Sequence, residues 1–219
     1  MDRPFDVELR ELRKTLLHMA AQVEESIALS VRSLTERKEE LAREVLRNED
    51  LINRFDLAID EIGMRLLALR QPMAADLRFI SSAMKIASDL ERIGDLAVNM
   101  AEQALELIKS PPLKPLIDIP EMARLAQSMI DDALHAFVDK DEDSARSVCE
   151  RDDEVDKLND QVFRELLTHM MGDRETIPRA MDLLLISRHL ERMADHATNI
   201  AEDVIYMVSG KIIKHHADA

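Results

Sequence analysis

The chain has 219 residues, 46% hydrophobic but only 3% aromatic, with 29 basic against 44 acidic residues and a formal charge of −15. This length allows one large or two small domains, and so anionic a surface repels phosphate backbones, which argues against nucleic-acid binding. The single cysteine, Cys149, excludes an internal disulfide framework; with no secretory signal and no apolar run long enough to span a bilayer, a cytoplasmic protein is expected.

Few Gly and Pro, and long stretches rich in Ala, Leu, Glu, Arg and Met, favour helix throughout. The first helix is expected from near Asp6, because Leu12, Leu16, Met19, Val23, Ile27, Val31 and Leu34 step by three or four residues along one face. The second spans about Lys38 to Leu69 and stops at Gln71-Pro72, since proline cannot continue the hydrogen-bond ladder. A third runs from Met73 to about Ile108. Four of the seven prolines fall within residues 111–120, which read as a connector. Helix four covers about Ile119 to Val138, an acidic turn follows, and helix five extends to about Met170. Gly172-Asp173 breaks the chain before helix six, which ends near Val208. Three long helices with short turns bury their stripes most simply as an antiparallel bundle. The expected fold is all-α: two tandem three-helix bundles, residues 1–110 and 121–219, joined by the Pro-rich segment 111–120.

The two halves repeat one another. Residues 90–102 read LERIGDLAVNMAE and residues 190–202 read LERMADHATNIAE, with 8 of 13 positions identical. Within each block the acids share one helical face: Glu91, Asp95 and Glu102 with Asn99, then Glu191, Asp195 and Glu202 with Asn199. The preceding helices supply matching acids. Asp152 and Asp156 are four apart, and an offset of 103 residues, taken from Ala42–Val45 against Ala145–Val148, sets Glu49 and Asn53 opposite them, with Asp56 and Asp60 continuing that stripe.

Acids are so common here that one acid-x-x-x-acid step carries little; recurrence in both halves carries more. Like charges at this spacing destabilise a helix by roughly 0.2–0.5 kcal/mol per pair. Two such helices side by side call for a cation, and all-oxygen ligation suits hard ions such as Mg²⁺, Ca²⁺, Mn²⁺ or oxidised iron. The competing reading is a solvated face neutralised locally by Arg92 and Arg192. His189 and His196 flank the second block, but their counterparts are Asp89 and Leu96, which reads as surface histidines rather than ligands. His215-His216 belongs to a short polar tail. Cys149 has no evident base and reads as buried rather than nucleophilic. No Glu-x-x-His step of the ferritin-like di-iron kind occurs, nor any Gly-rich phosphate loop or nucleophile elbow. A metal-dependent hydrolase or redox protein, or a cation-storage protein, stays open as an alternative.

These residues resemble the PhoU family along almost the whole chain. The matching blocks are Leu69–Pro72 with Asp76–Arg78, Asp89–Asp95, the stop at Thr176–Pro178, and Leu190–Asp195. The resemblance implies tandem three-helix bundles and a non-enzymatic repressor of phosphate uptake and of the phosphate-starvation response. It implies contacts with PstB, the ATPase of the Pst phosphate transporter, and with the sensor kinase PhoR, and it implies a homodimer. It further implies metal clusters of iron, zinc, manganese or magnesium. The implied ligands are Glu91 and Asp95 with the helix-two positions Glu49 and Asn53, or Asp56 and Asp60 instead, and Asp152, Asp156, Glu191 and Asp195 in the second half. Asn53 and Ala194 depart from the pattern, and the loss of a charge at Asn53 implies weaker binding at the first site.

Overall fold

A computed structural model describes residues 4–213, which form seven α-helices and a short 3₁₀ turn. The first half comprises α1 (Pro4–Glu36), α2 (Glu39–Arg70) and α3 (Ala75–Ile108), and the second α4 (Asp118–Asp139), α5 (Glu142–Cys149), α6 (Asp152–Gly172) and α7 (Ile177–Ser209). The periodic stripes become the core. On α1, Leu12, Leu16, Met19, Val23 and Ile27 are wholly buried, and burying a side chain of this size contributes about 1.5–3 kcal/mol. His215 and His216 lie outside the described residues.

One expectation needs correction. The fifth stretch is two helices, interrupted at Glu150 and Arg151. Asp141 starts α5 by accepting hydrogen bonds from the Asp143 and Ser144 N–H groups at 3.0 and 3.2 Å. At the break, Arg151 leaves the helical line to donate to Asp132 (2.5 Å) and Ser128 (3.1 Å) on α4. Asp152, Asp153 and Glu154 then occupy the first turn of α6, where negative charge favours a helix start.

Turns and helix ends are closed by long-range bonds. Arg37, left-handed at φ 55°, ends α1 and sends its guanidinium to the carbonyls of Leu107 and Ile108, terminal acceptors of α3, and to that of Ser110 just beyond it. Lys114 fastens the connector: it is buried and donates to Glu165 on α6, with Asp118 at 3.7 Å. At the end of α7, Gly210 takes φ 75° and its N–H returns to the Tyr206 carbonyl at 2.8 Å.

The two halves meet through their last helices, α3 and α7. α3 and α7 share the most extensive helix–helix contact, and they run antiparallel, as their cross-links show. Arg78 donates to the Met207 carbonyl (3.1 Å), Ser82 to the Asp203 carbonyl (3.1 Å) and Lys85 to the Asp203 carboxylate (2.9 Å). Farther along, His196 pairs with Asp89 at 2.8 Å and Gln103 donates to His189 at 3.2 Å. The buried apolar residues of both halves form one continuous cluster.

Candidate functional site

Each half presents a helix hairpin whose facing helices carry the acids. In the second half the structure gathers all four expected residues. Glu191 is buried on α7, and its carboxyl is held above the usual range by burial first, then by Asp195, Asp156 and Asp152, with Arg188 opposing. Although much of Asp195 is open to solvent, desolvation of its carboxyl and the charge of Asp156 push it the same way. Arg188 donates to Glu191 Oε1 at 2.6 Å, and Glu191 Oε2 is buried with no partner.

In the first half the α2 acid that acts on Glu91 is Asp56. Glu91 is raised by burial, then by Asp95, and also by Asp56 on α2. Asp56 is raised in turn by burial and by Asp60. Asp56 therefore stands to Glu91 as Asp156 stands to Glu191, with Asp60 beside Asp56 on α2. Glu49 and Asn53 are half-buried on α2, seven and three residues before Asp56. The offset that matches the helix starts does not carry to this level of the hairpin. Arg92 partly neutralises the group, 3.5 Å from Glu91 and 3.9 Å from Asp95.

His189 and His196 are not surface residues; both are half-buried at the α3–α7 seam. His189 is held below the ordinary imidazole range by burial and by Arg192. His196 pairs with Asp89 at 2.8 Å and in its protonated form favours ionisation of both Glu91 and Asp195. No signal along the sequence marks this, because Asp89 and His196 are 107 residues apart. Cys149 is half-buried and its thiol is pushed up to about 11, chiefly by burial and then by Glu202, so it is a poor nucleophile at neutral pH.

These groups fit a hard cation in donor chemistry and in charge. Oxygen ligands are in excess, several carboxyls resist ionisation for want of a counter-charge, and one buried carboxylate oxygen of Glu191 is orphaned. Among the described residues, however, no three His, Cys, Asp or Glu side chains already converge as a ligand set. Arg188 and Arg92 would have to swing away before the carboxylates could close on an ion.

Comparison with known proteins sets these clusters in context. The PhoU domain model matches twice, at residues 16–104 and 119–204. The phosphate-specific transport system accessory protein PhoU homolog of Aquifex aeolicus is 43% identical over 208 residues, 95% of this chain and 94% of that protein. PhoU homolog 2 of Thermotoga maritima is 37% identical over 218 residues, covering 100% and 93%. The crystal structure of PhoU from Pseudomonas aeruginosa superposes with a TM-score of 0.92 at 40% identity, over 94% of this chain and 100% of that one. The phosphate transport system regulatory protein PhoU from Streptococcus pneumoniae gives 0.87 at 32% identity, over 96% and 99%.

Proposed function

The chain belongs to the PhoU family, and from that premise we propose that it restrains phosphate uptake and the phosphate-starvation response as a non-enzymatic adaptor. Its partners in this reading are PstB of the phosphate transporter and the sensor kinase PhoR. The observation that carries the reading is the match over nearly the full length of relatives named as accessory proteins of phosphate-specific transport. The helical surfaces suit protein contact, and no described helix is long and apolar enough to cross a membrane, so any hold on the transporter's membrane would run through its partners. The two carboxylate clusters are the cation sites of this reading. Asp152, Asp156, Glu191 and Asp195 form the more complete one, and Glu91 and Asp95 with Asp56 and Asp60 the other.

A phosphate-starvation reporter tests this in cells grown with abundant phosphate. Deleting the gene should switch the reporter on, and the intact gene should silence it again; a reporter that stays off in the deletion strain rejects the regulatory role. Restoring instead the protein with Asp152, Asp156, Glu191 and Asp195 all changed to Ala measures whether the cluster matters to repression. The same variant, purified, should lose bound metal, and unchanged metal content would remove these residues as ligands.

A further inference from the structure

The hairpin of α6 and α7 carries an apolar stripe that the bundle does not use. Phe163, Leu167 and Met171 on α6, and Ile177, Met181 and Leu185 on α7, are each at least 40% exposed. They pair by position, because 163 and 185, 167 and 181, and 171 and 177 are equidistant from Arg174 in the turn. All but Leu185, which lies six residues from Glu191 and so about 120° round α7, share a face with the acidic cluster. Phe163 and Leu167 follow Asp156 by seven and eleven residues, two and three helical turns, while Ile177 and Met181 precede Glu191 and Asp195 by fourteen, four turns. Since those acids act on one another across the hairpin, the stripe and the acids line the same groove.

The internal repeat keeps exposed apolar side chains on the first hairpin as well, Leu77 opposite Ile177 among them at 45% exposure, but not at the two following α7 positions. The first-half counterparts of Met181 and Leu185 are Ser81 and Lys85, and Lys85 is committed to Asp203 at 2.9 Å and to the face of Tyr206. Contiguous exposed apolar surface of this kind marks an interaction site.

The geometry points to a docking groove for a basic amphipathic helix of a partner protein, with apolar residues over two turns and Lys or Arg over the next two. The apolar half extends about 12 Å along α6, from Phe163 to Met171, at 1.5 Å per residue. Beyond it lie Asp152, Asp156 and Asp160 on α6 and Glu191 and Asp195 on α7; Arg188 and Arg192 offset only part of this charge. The acidic surplus favours a cationic partner, repels anionic lipid, and works against a second copy of this chain, which would bring two acidic grooves together. A helix laid in a groove through anchors at i, i+4 and i+7 is an established recognition mode. The inference takes its biological setting from the adaptor reading, but its test does not depend on that reading.

The probe is a fluorescent helical peptide of about 18 residues with Leu at i, i+4 and i+7 over its first two turns, Lys at i+11 and i+14 over the next two, and Ala elsewhere. Its binding to the full chain is followed by anisotropy at physiological salt, against a control peptide with Glu replacing Lys. Leu167→Ser with Met181→Ser, which leaves every charge in place, should weaken binding about tenfold or more, while Leu57→Ser, at an exposed position of the first bundle, should leave it unchanged. Equal binding by the groove variant, or equal loss in both variants, overturns the proposal. So does a wild-type dimer in sedimentation that the groove variant abolishes, because a second copy would then be the occupant. Failure of the reporter experiment with peptide binding intact would reject the regulatory role and leave the groove standing.

Discussion

Glu191 holds Arg188 with one carboxylate oxygen and buries the other without a partner. Its carboxyl is held above the ordinary range by burial and by three neighbouring acids. A raised value in the folded state means that the folded protein keeps a proton the unfolded chain has already released. The resulting penalty is absent below the ordinary carboxylate range, builds as pH rises through the raised value, and is fully present at neutrality. Glu191→Gln should therefore raise the Tm of the metal-free protein at pH 7, by roughly 2–4 °C if the relief is worth ~1 kcal/mol, and change it little near pH 4. Thermal unfolding at the two pH values decides the matter; an equal shift at both would assign the effect to packing. His189, kept neutral by burial, acts in the opposite sense, costing stability as pH falls through the ordinary imidazole range. Comparing variant with wild type at each pH removes that contribution.

At the scale of the helix, the hairpins depend on close approach. A Cβ added at Gly94 would sit 3.1 Å from Ile52 Cδ1 on α2. Gly94→Val should therefore cost about 1–3 kcal/mol through overpacking, seen as a lower denaturant midpoint; an unchanged midpoint would mean that α2 yields freely. Most of this level was legible in the sequence, because stripes such as Leu12–Ile27 on α1 follow from helical periodicity alone. What escaped depends on partners remote in the chain. The break between α5 and α6 is held by the pairing of Arg151 with Asp132 on another helix. The sequence left Asp56 and Asp60 open beside Glu49 and Asn53 as partners of Glu91, because a repeat offset measured at helix starts does not set the level at which two helices face each other. The seam positions of His189 and His196 escaped for the same reason, since their partners Gln103 and Asp89 belong to the other half.

For the whole molecule, the α3–α7 seam makes each half dependent on the other. Leu90, Ile93 and Ala97 on α3, and Leu190, Met193 and Ala197 on α7, are wholly buried in the one continuous core. Residues 1–110 produced alone should therefore lose monomeric, cooperative unfolding and self-associate, as sedimentation and thermal melts would report; a stable monomeric half would show that the seam is dispensable. The connector matters for the same reason. With Lys114 anchored to Glu165 and Arg37 tied to Ser110, it is part of the packed structure rather than a loose tether.

The seam also imposes an order of events while the chain is being made. Its cross-links join residues 86 to 129 positions apart, so α3 leaves the ribosome long before α7 exists to cover it. At the usual pace of ~5–20 residues per second, about a hundred residues take roughly 5–20 s. For that interval the newborn first half carries an uncovered apolar helix in a crowded cell, in need of a chaperone or of fast synthesis to reach its mate.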